Sequence, residues 1–221
     1  MEAVVSDFGA ILVKLIVPNK DGEKADVVLG FDHLEQYEEN PNFFGSTVGR
    51  SANRIGGAAF QIDGVTYHLT ANENENNLHS DFYHGFHKVL WNADMKDGEN
   101  AVVFSYNSPD GENGFPGNLK ISVTYTLKND NSLQISYDGI SDKKTIINMT
   151  NHSYFNLAGH DAGSICDEKM MIDADAFTEL GQGSICTGKV IPVEGTPMDF
   201  RTARRVGDHI DDAWPQLTLA G

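Results

Sequence analysis

The clearest pattern in the sequence is the stretch Leu119–Leu127, which reads LKISVTYTL. Its apolar residues alternate with lysine, serine and threonine, so successive side chains point to opposite faces of an extended strand. The stretch Leu133–Tyr137 repeats the alternation after the polar turn sequence Lys128–Asn131. The two stretches therefore predict an antiparallel hairpin with one face in the core and one face in water.

Several further short strands are predicted on both sides of this hairpin. Asp63-Gly64 separates two of them and can supply the positive φ angles of a type I′ turn. Helical periodicity is weak, with one turn expected near Asp32–Tyr37. The predicted strands are Ala10–Val17, Val27–Leu29, Phe60–Ile62, Val65–Tyr67 and Ala101–Asn107.

The fold class predicted from these strands is all-β, as a large antiparallel β-sandwich. The many glycines, 22 in 221 residues, fit a chain with numerous turns between short strands. No linker or low-complexity segment interrupts the sequence, so residues 1–221 are predicted to form a single domain.

The charge of the chain disfavours two classes of partner. The formal net charge is −16, which repels the nucleic-acid backbone and an anionic membrane surface. No apolar run approaches the length of a membrane span, and the first residues lack the pattern of a secretory signal. Two cysteines do not make a disulfide framework, so the expected location is the cytoplasm.

The stretch Thr150–Gly159 concentrates polar and aromatic side chains, and it follows an alternating run at Thr145–Met149. In an extended chain, Asn148, Thr150 and His152 share one face. A polar row that ends in a histidine is typical of a sheet face open to a small polar ligand. The same pattern also fits a hydrogen-bonded histidine at a structural corner.

A metal site is a minority interpretation of the histidine-rich segment that begins at His79. His79, Asp81, His84 and His87 are suitable ligand types, but their spacing matches no common zinc pattern. The predicted site therefore contains no metal.

Two arginines and one aspartate are candidates for holding an oxygen-rich ligand. Arg50 and Arg54 lie among small residues, where a guanidinium can bind such a ligand in a bidentate manner. Asp199 lies in a loop sequence close to Arg201. Each of these side chains could instead form an ordinary ion pair, which is easy in so acidic a protein.

Six motifs follow one another along the chain. They are FGSTVGR with NRI (Phe44–Arg50 and Asn53–Ile55), NLH (Asn77–His79), GFHK with Trp91 (Gly85–Lys88), SPDGENGFPG (Ser108–Gly117), TNHSYFNLAG (Thr150–Gly159) and GTPMDFR (Gly195–Arg201). In this order they resemble the aldose 1-epimerase (galactose mutarotase) family. The resemblance implies a β-sandwich of the galactose mutarotase type, which binds sugar over a concave sheet face without a cofactor. It also implies interconversion of the α and β anomers of aldohexoses such as galactose or glucose.

The resemblance also implies a role for each candidate side chain. His152 is similar to the general acid that protonates the sugar ring oxygen, and His79 would assist it by hydrogen bonding. Asn53, Arg54 and Asp199 would hold sugar hydroxyls.

The sequence departs from the family pattern in two places. The family's Leu-His-Gly-Gly is here Leu-His-Ser-Asp at Leu78–Asp81, with a slightly longer loop to Gly85. The chain also ends at Gly221, where the family continues into strands that carry the glutamate used as general base. On this resemblance the sandwich is expected to be incomplete at its C-terminal end, and residues 1–221 alone are expected to turn over little sugar.

Two alternative functions remain open at this point. One is a carbohydrate-binding protein on the same fold, without turnover. The other is a hexose-6-phosphate 1-epimerase, for which Arg50 and Arg54 would have to bind the phosphate. Neither the preferred sugar nor the oligomeric state can be read from the sequence.

Overall fold

Strands make up most of the regular structure in residues 1–220, the part of the chain that the computed structural model describes. The predicted all-β class is therefore confirmed. The described chain divides into two compact units, Met1–Asp161 and a second unit that begins at Ala162. The single domain expected for residues 1–221 stays a prediction.

The first unit contains a three-stranded antiparallel sheet, a four-stranded antiparallel sheet and three two-stranded ladders. The four-stranded sheet has the order β12-β11-β10-β9, and the three-stranded sheet has the order β1-β2-β3. The strands are β1 Glu2–Ser6, β2 Ile11–Pro18, β3 Lys24–Asp26, β4 Thr47–Val48, β5 Arg54–Ile55, β6 Ala59–Ile62, β7 Val65–His68, β8 Asn77–Leu78, β9 Asn92–Lys96, β10 Ala101–Ser108, β11 Leu119–Leu127, β12 Leu133–Ser141 and β13 Thr150–Asn151.

The hairpin of β11 and β12 forms as predicted, and the alternation in β11 separates its two faces. Leu119, Ile121, Val123 and Tyr125 are at most 4% exposed and belong to the main core cluster. Leu12 and Leu15 of β2 are in the same cluster, so the two larger sheets of this unit share one core. Burial of these apolar side chains is the main stabilising contribution of the unit.

The hairpin of β6 and β7 also forms as predicted. Asp63 and Gly64 have φ angles of 50° and 81°, as the two central positions of a type I′ turn require. Two shorter ladders lie nearer to the histidines. Strand β5 pairs with β8, and β4 pairs with β13.

Two strand predictions were wrong. The strand expected at Val27–Leu29 is instead β3, Lys24–Asp26, because the Asp26 carboxylate accepts hydrogen bonds from the backbone N–H groups of Leu15 and Val28. A side chain thus replaces the backbone partner that would continue the ladder. The run Thr145–Met149 is also not a strand, since within it only Asn148 forms a bridge, with Ser51.

The second unit contains two two-stranded antiparallel ladders and a short α-helix. Its elements are β14 Lys169–Met170, β15 Ala176–Leu180, β16 Cys186–Pro192, β17 Arg204–Arg205 and α1 Pro215–Ala220. Short 3-10 helices occur in both units, at Leu34–Glu38, Gly56–Ala58, Phe86–Lys88, Glu112–Gly114, Gln182–Ser184 and Val206–His209. Within residues 1–220, no helix has the length and apolar character needed to cross a membrane.

Candidate active site

His79 lies at the end of the short ladder of β5 and β8, where Arg54 pairs with Leu78. Asn53 and His79 lie one residue outside this ladder and bind each other twice. The backbone N–H of His79 donates to the Asn53 carbonyl at 3.0 Å, and the backbone N–H of Asn53 donates to His79 Nδ1 at 3.0 Å. The ladder therefore fixes both the backbone and the ring of His79.

The backbone around His79 adopts left-handed angles. The φ angles are 61° at Asn53, 56° at His79 and 67° at Ser80, a region that costs a residue other than glycine about 1–3 kcal/mol. The family that the sequence resembles has glycine at the position of Ser80, and glycine adopts left-handed angles freely. Here the buried Ser80 hydroxyl accepts from the Ser51 N–H and donates to the Ser51 carbonyl, at 2.9 and 3.0 Å.

Two asparagine side chains hold the loop that carries His79. Asn72 accepts from the Leu78 N–H at 2.7 Å and donates to the Leu78 carbonyl at 2.8 Å. The buried Asn77 amide donates to the carbonyls of Thr70 at 2.8 Å and Ser80 at 2.6 Å. The loop is therefore fixed by side-chain amides in place of a long backbone ladder.

His152 follows β13, and its position is tied to the core. The Asn151 side chain donates to the Gly45 carbonyl at 2.8 Å and to the Tyr125 hydroxyl at 3.1 Å. That hydroxyl in turn donates to the buried Ala10 carbonyl at 2.7 Å. The His152 backbone N–H donates to the Ser46 carbonyl at 2.8 Å. Strand β13, which ends next to His152, is therefore anchored to β11 through the Asn151 side-chain amide.

His79 and His152 meet around the ring of Phe43. The two imidazole rings are 5.3 Å apart between centroids and almost perpendicular, at 89°. Phe43 lies 4.9 Å from His79, 5.6 Å from His152 and 4.5 Å from a third ring, that of His87. We call Phe43, His79, His87 and His152 the histidine cluster. Sequence reasoning missed Phe43, because a phenylalanine in a loop has the same appearance as any core residue.

The loop that carries Phe43 is fixed by the buried Asn40. Asn40 accepts from the Phe44 N–H at 2.9 Å, and its amide donates to the Phe44 carbonyl and the Ser46 hydroxyl, each at 3.1 Å. Phe43 itself has a φ of 57°. A buried amide with several partners specifies one loop conformation, which here places the Phe43 ring against the histidines.

Burial keeps two of the three clustered histidines neutral. Desolvation, followed by the charges of His152 and Arg54, lowers the pKa of His79 from 6.5 to about 4. Desolvation also lowers the pKa of His87 to about 4. Because His79 Nδ1 accepts the Asn53 N–H, the proton of neutral His79 resides on Nε2. His79 is therefore a neutral ring with one N–H available for donation.

Arg54 is bound by Glu73, a residue that the motifs did not indicate. Glu73 Oε2 accepts from Arg54 Nε at 2.5 Å, and Glu73 Oε1 accepts from Arg54 Nη2 at 2.7 Å. Arg54 Nη1 lies 3.4 Å from Asn53 Oδ1. Glu73 lies in the run NENENN at residues 72–77, where neither its type nor its spacing distinguishes it from Glu75.

Arg50 has a structural role and is neither a ligand anchor nor part of a surface ion pair. Its side chain is 2% exposed, and its guanidinium donates to the Ser108 hydroxyl and to the carbonyls of Ser108, Pro109 and Pro116 at 2.7–3.1 Å. The Ser108 hydroxyl donates onward to Glu112. Arg50 therefore closes the loop that follows β10.

The side chains of the histidine-rich segment do not converge on a point where a metal ion could bind. His84 Nδ1 lies 3.2 Å from the Asp81 carboxylate, whereas His79 and His87 pack on Phe43. His87 Nε2 lies 3.2 Å from the Phe82 carbonyl. In residues 1–220, no group of three or more histidine, cysteine, aspartate or glutamate side chains has a geometry that could hold a metal ion.

Asp199 lies in the second unit, in the loop after β16. Arg201 binds its carboxylate in a bidentate manner, at 2.9 Å from Nε and 2.7 Å from Nη2. This hydrogen bonding lowers the pKa of Asp199 to about 2. Asp175 approaches the same guanidinium at 3.3 Å. The ion pair with Arg201 that the sequence left open is therefore formed.

A cavity of about 600 Å³ borders the histidine cluster. Phe43 and His87 line it, together with Phe82, Tyr83, Lys88 and the segment 38–41. His79 and His152 do not line the cavity. Phe43 is thus shared between the cavity and the pair of perpendicular histidines.

Comparison with known families identifies sequences similar to this chain over nearly all of its length. The aldose 1-epimerase family profile matches residues 1–217. Galactose mutarotase from Rattus norvegicus is 44% identical over 206 residues, which cover 93% of this chain and 59% of the relative. Aldose 1-epimerase from Escherichia coli K12 is 36% identical over 204 residues, which cover 92% and 58%.

Solved structures give the same result for the fold. The galactose 1-epimerase from Lactobacillus acidophilus NCFM superposes with a TM-score of 0.86 at 30% identity, covering 99% of this chain and 63% of that one. A GalM/aldose epimerase homologue from C. elegans superposes with a TM-score of 0.85 at 34% identity, covering 92% and 61%. The chain spans about three fifths of the length of the relatives it matches.

Proposed function

This chain belongs to the aldose 1-epimerase family, and we propose on that premise that its histidine cluster serves the interconversion of the α and β anomers of an aldohexose such as galactose or glucose. The similar proteins named galactose mutarotase and aldose 1-epimerase support this assignment. The proposed reaction needs no cofactor, and the proposed location is the cytoplasm.

Anomer exchange is an acid–base reaction. The C1 hydroxyl gives its proton to a base and the ring oxygen gains a proton from an acid as the bond between C1 and the ring oxygen breaks. Rotation about C1–C2 and ring closure by the reverse steps then give the other anomer. Neither oxygen is appreciably acidic or basic at neutral pH, so positioned side chains are effective and contribute about 10²–10⁴-fold. Histidine, with an ordinary pKa near neutrality, suits the delivery of a proton to the ring oxygen. We assign that role to His152.

The observation that carries the proposal is the contact between the rings of His79 and His152. His79 is held neutral, with its proton on Nε2, so it can donate a hydrogen bond to a sugar oxygen but is a poor proton source at pH 7. Its ring stands edge to face against His152 at 5.3 Å. A fixed neutral donor beside a second histidine suits ring-oxygen protonation, in which one group orients the sugar and the other supplies the proton.

Asn53, Arg54 and Asp199 are proposed to hold sugar hydroxyls. Asn53 is exposed beside His79, and the Arg54 side chain is 24% exposed. The Asp199 side chain is 27% exposed despite its bond to Arg201. A carboxylate accepts hydrogen bonds from hydroxyl groups and a guanidinium donates them to hydroxyl oxygens, so each of these side chains is of a type that binds a sugar hydroxyl.

Polarimetry of freshly dissolved α-D-galactose tests the proposal directly. Because little turnover is expected of residues 1–221 alone, the wild-type chain should raise the relaxation rate only slightly above that of buffer, and His152→Ala is expected to remove this increase. The matched control is His84→Ala, because His84 is an exposed histidine of the same segment that lies outside the cluster. This control should leave the rate unchanged.

Sugar binding measured by NMR titration separates the remaining outcomes. Galactose binding without any rate enhancement, unchanged in His152→Ala, would support the carbohydrate-binding alternative over catalysis. The absence of both galactose binding and rate enhancement would contradict the proposed function.

A further inference from the structure

The ion pair between Arg54 and Glu73 alters the charge that the site offers to a ligand. The Glu73 carboxylate occupies two N–H groups of the guanidinium, at 2.5 and 2.7 Å, and this bidentate geometry fixes the guanidinium plane. The two side chains are 24% and 27% exposed, so the pair lies within reach of a bound ligand. Arg54 lies in the ladder of β5 and β8, and Glu73 forms a β-bridge with Asn76 just before that ladder.

Both charges of this pair act on the candidate active site. Arg54 adjoins Asn53, whose backbone N–H donates to the His79 ring, and Glu73 binds Arg54. In line with this placement, the charge of Arg54 lowers the pKa of His79 and the charge of Glu73 raises it. The pair therefore presents hydrogen-bond donors and acceptors beside His79 while its net charge is zero.

Two other cationic side chains, Arg50 and Lys88, already bind other groups of the protein. The buried Arg50 binds the Ser108 side chain and three backbone carbonyls. Lys88, which borders the cavity beside Phe43, donates to the backbone carbonyls of Glu38 and Glu39. Neither can move its charge to an anionic ligand without giving up these partners.

We propose that Glu73 is a specificity-determining residue that restricts this site to neutral sugars and excludes anionic sugars such as hexose 6-phosphates. The inference rests on the proposed epimerase function of the same site. A sugar hydroxyl both donates and accepts, so it can bind Arg54 and Glu73 together. A phosphate only accepts, carries about −2 charge, is repelled by Glu73 and meets an arginine that is already paired.

The test compares D-galactose with D-galactose 6-phosphate in the wild-type chain and in Glu73→Gln. Dissociation constants come from NMR titration, and kcat/KM comes from anomer exchange measured by NMR. The matched control is Glu75→Gln, an exposed glutamate of the same NENENN run. Wild type should favour the neutral sugar by at least about tenfold, and Glu73→Gln should bind the 6-phosphate about tenfold more tightly than wild type does.

The control and the conservative variant define what would overturn the proposal. Glu75→Gln and Glu73→Asp should both retain wild-type discrimination, and raised ionic strength should shrink the effect of Glu73→Gln. Unchanged 6-phosphate binding in a folded Glu73→Gln, or a wild-type preference for the 6-phosphate, would overturn it. An absence of turnover with both sugars would contradict the proposed function, while the two dissociation constants would still decide the role of Glu73.

Discussion

The four-stranded sheet and the histidine cluster belong to the same unit but are held together in different ways. In the sheet, β9–β12 are joined by continuous antiparallel ladders, and one row of β11 is almost completely buried. Around the cluster, the neighbouring ladders are two residues long, and side-chain amides replace the missing backbone partners. The sheet is stabilised mainly by apolar burial, and the cluster by a few specific hydrogen bonds.

This difference indicates where each region tolerates change. Loss of one apolar side chain in the sheet affects the stability of the whole unit, because the core is shared by both larger sheets. Loss of one amide near the cluster removes only a few bonds, yet those bonds set the positions of His79 and Phe43. The following predictions test the contrast.

The largest effect is expected from Phe104→Ala in β10. Phe104 is 2% exposed and packs with Tyr125, so truncation should leave a cavity and lower the free energy of unfolding by about 3–5 kcal/mol. Urea denaturation measures this quantity. The control is Ser105→Ala, the next residue along the strand, which is exposed and should change stability by less than about 0.5 kcal/mol. Similar losses in both variants would remove the distinction between the two faces of the sheet.

A smaller loss of stability is expected from Asn77→Ala, beside the cluster. The variant removes the bonds to the Thr70 and Ser80 carbonyls, which should cost about 1–3 kcal/mol. If the proposed function holds, mutarotation should fall more steeply than stability, because the loop that positions His79 is released. Asn107→Ala, at an exposed sheet position, provides the control. A full loss of folding in Asn77→Ala would show that the loop is as important to stability as the sheet.

The smallest effect is a dependence of stability on pH that comes from the cluster. The pKa values of His79 and His87 are about 4 in the folded chain, against an ordinary 6.5, so the unfolded chain binds more protons between these values. Stability should therefore be fully present above about pH 6.5 and should fall as the pH drops towards 4. Between pH 7 and pH 5.5 we expect a loss of order 1 kcal/mol or less for each histidine.

Chemical denaturation at a series of pH values measures this loss. His87→Leu should flatten the dependence, whereas His84→Ala, which removes an exposed histidine, should leave most of it in place. An unchanged slope in His87→Leu would mean that His87 is not held neutral by burial.

The same contrast explains which parts of the structure could be predicted from the sequence. Strand β11 has a period-2 pattern because one of its faces packs in the core and the other faces water, and that pattern is visible in the sequence. The predicted strand Val27–Leu29 was wrong because the Asp26 side chain competes with the ladder for backbone N–H groups. Such a local competition depends on tertiary position, which the alternation of apolar residues does not reveal.

The site shows the same limit. His79, His152, Asn53 and Arg54 were named from motifs, and the structure brings the rings of His79 and His152 together. Glu73 was missed because it lies in a loop, 19 residues after Arg54 in the sequence, and no periodic pattern relates the two positions. The proposed roles of these residues and of Asp199 stay predictions for the experiments above.

The shared contact of Phe43 with three imidazole rings also has an evolutionary consequence. Residues in direct contact usually show coupling, so substitutions at Phe43, His79, His87 and His152 are expected to combine non-additively. A change at one position alters the packing that the other three experience. We therefore expect the effect of a second substitution among these four positions to depend on which of them was changed first.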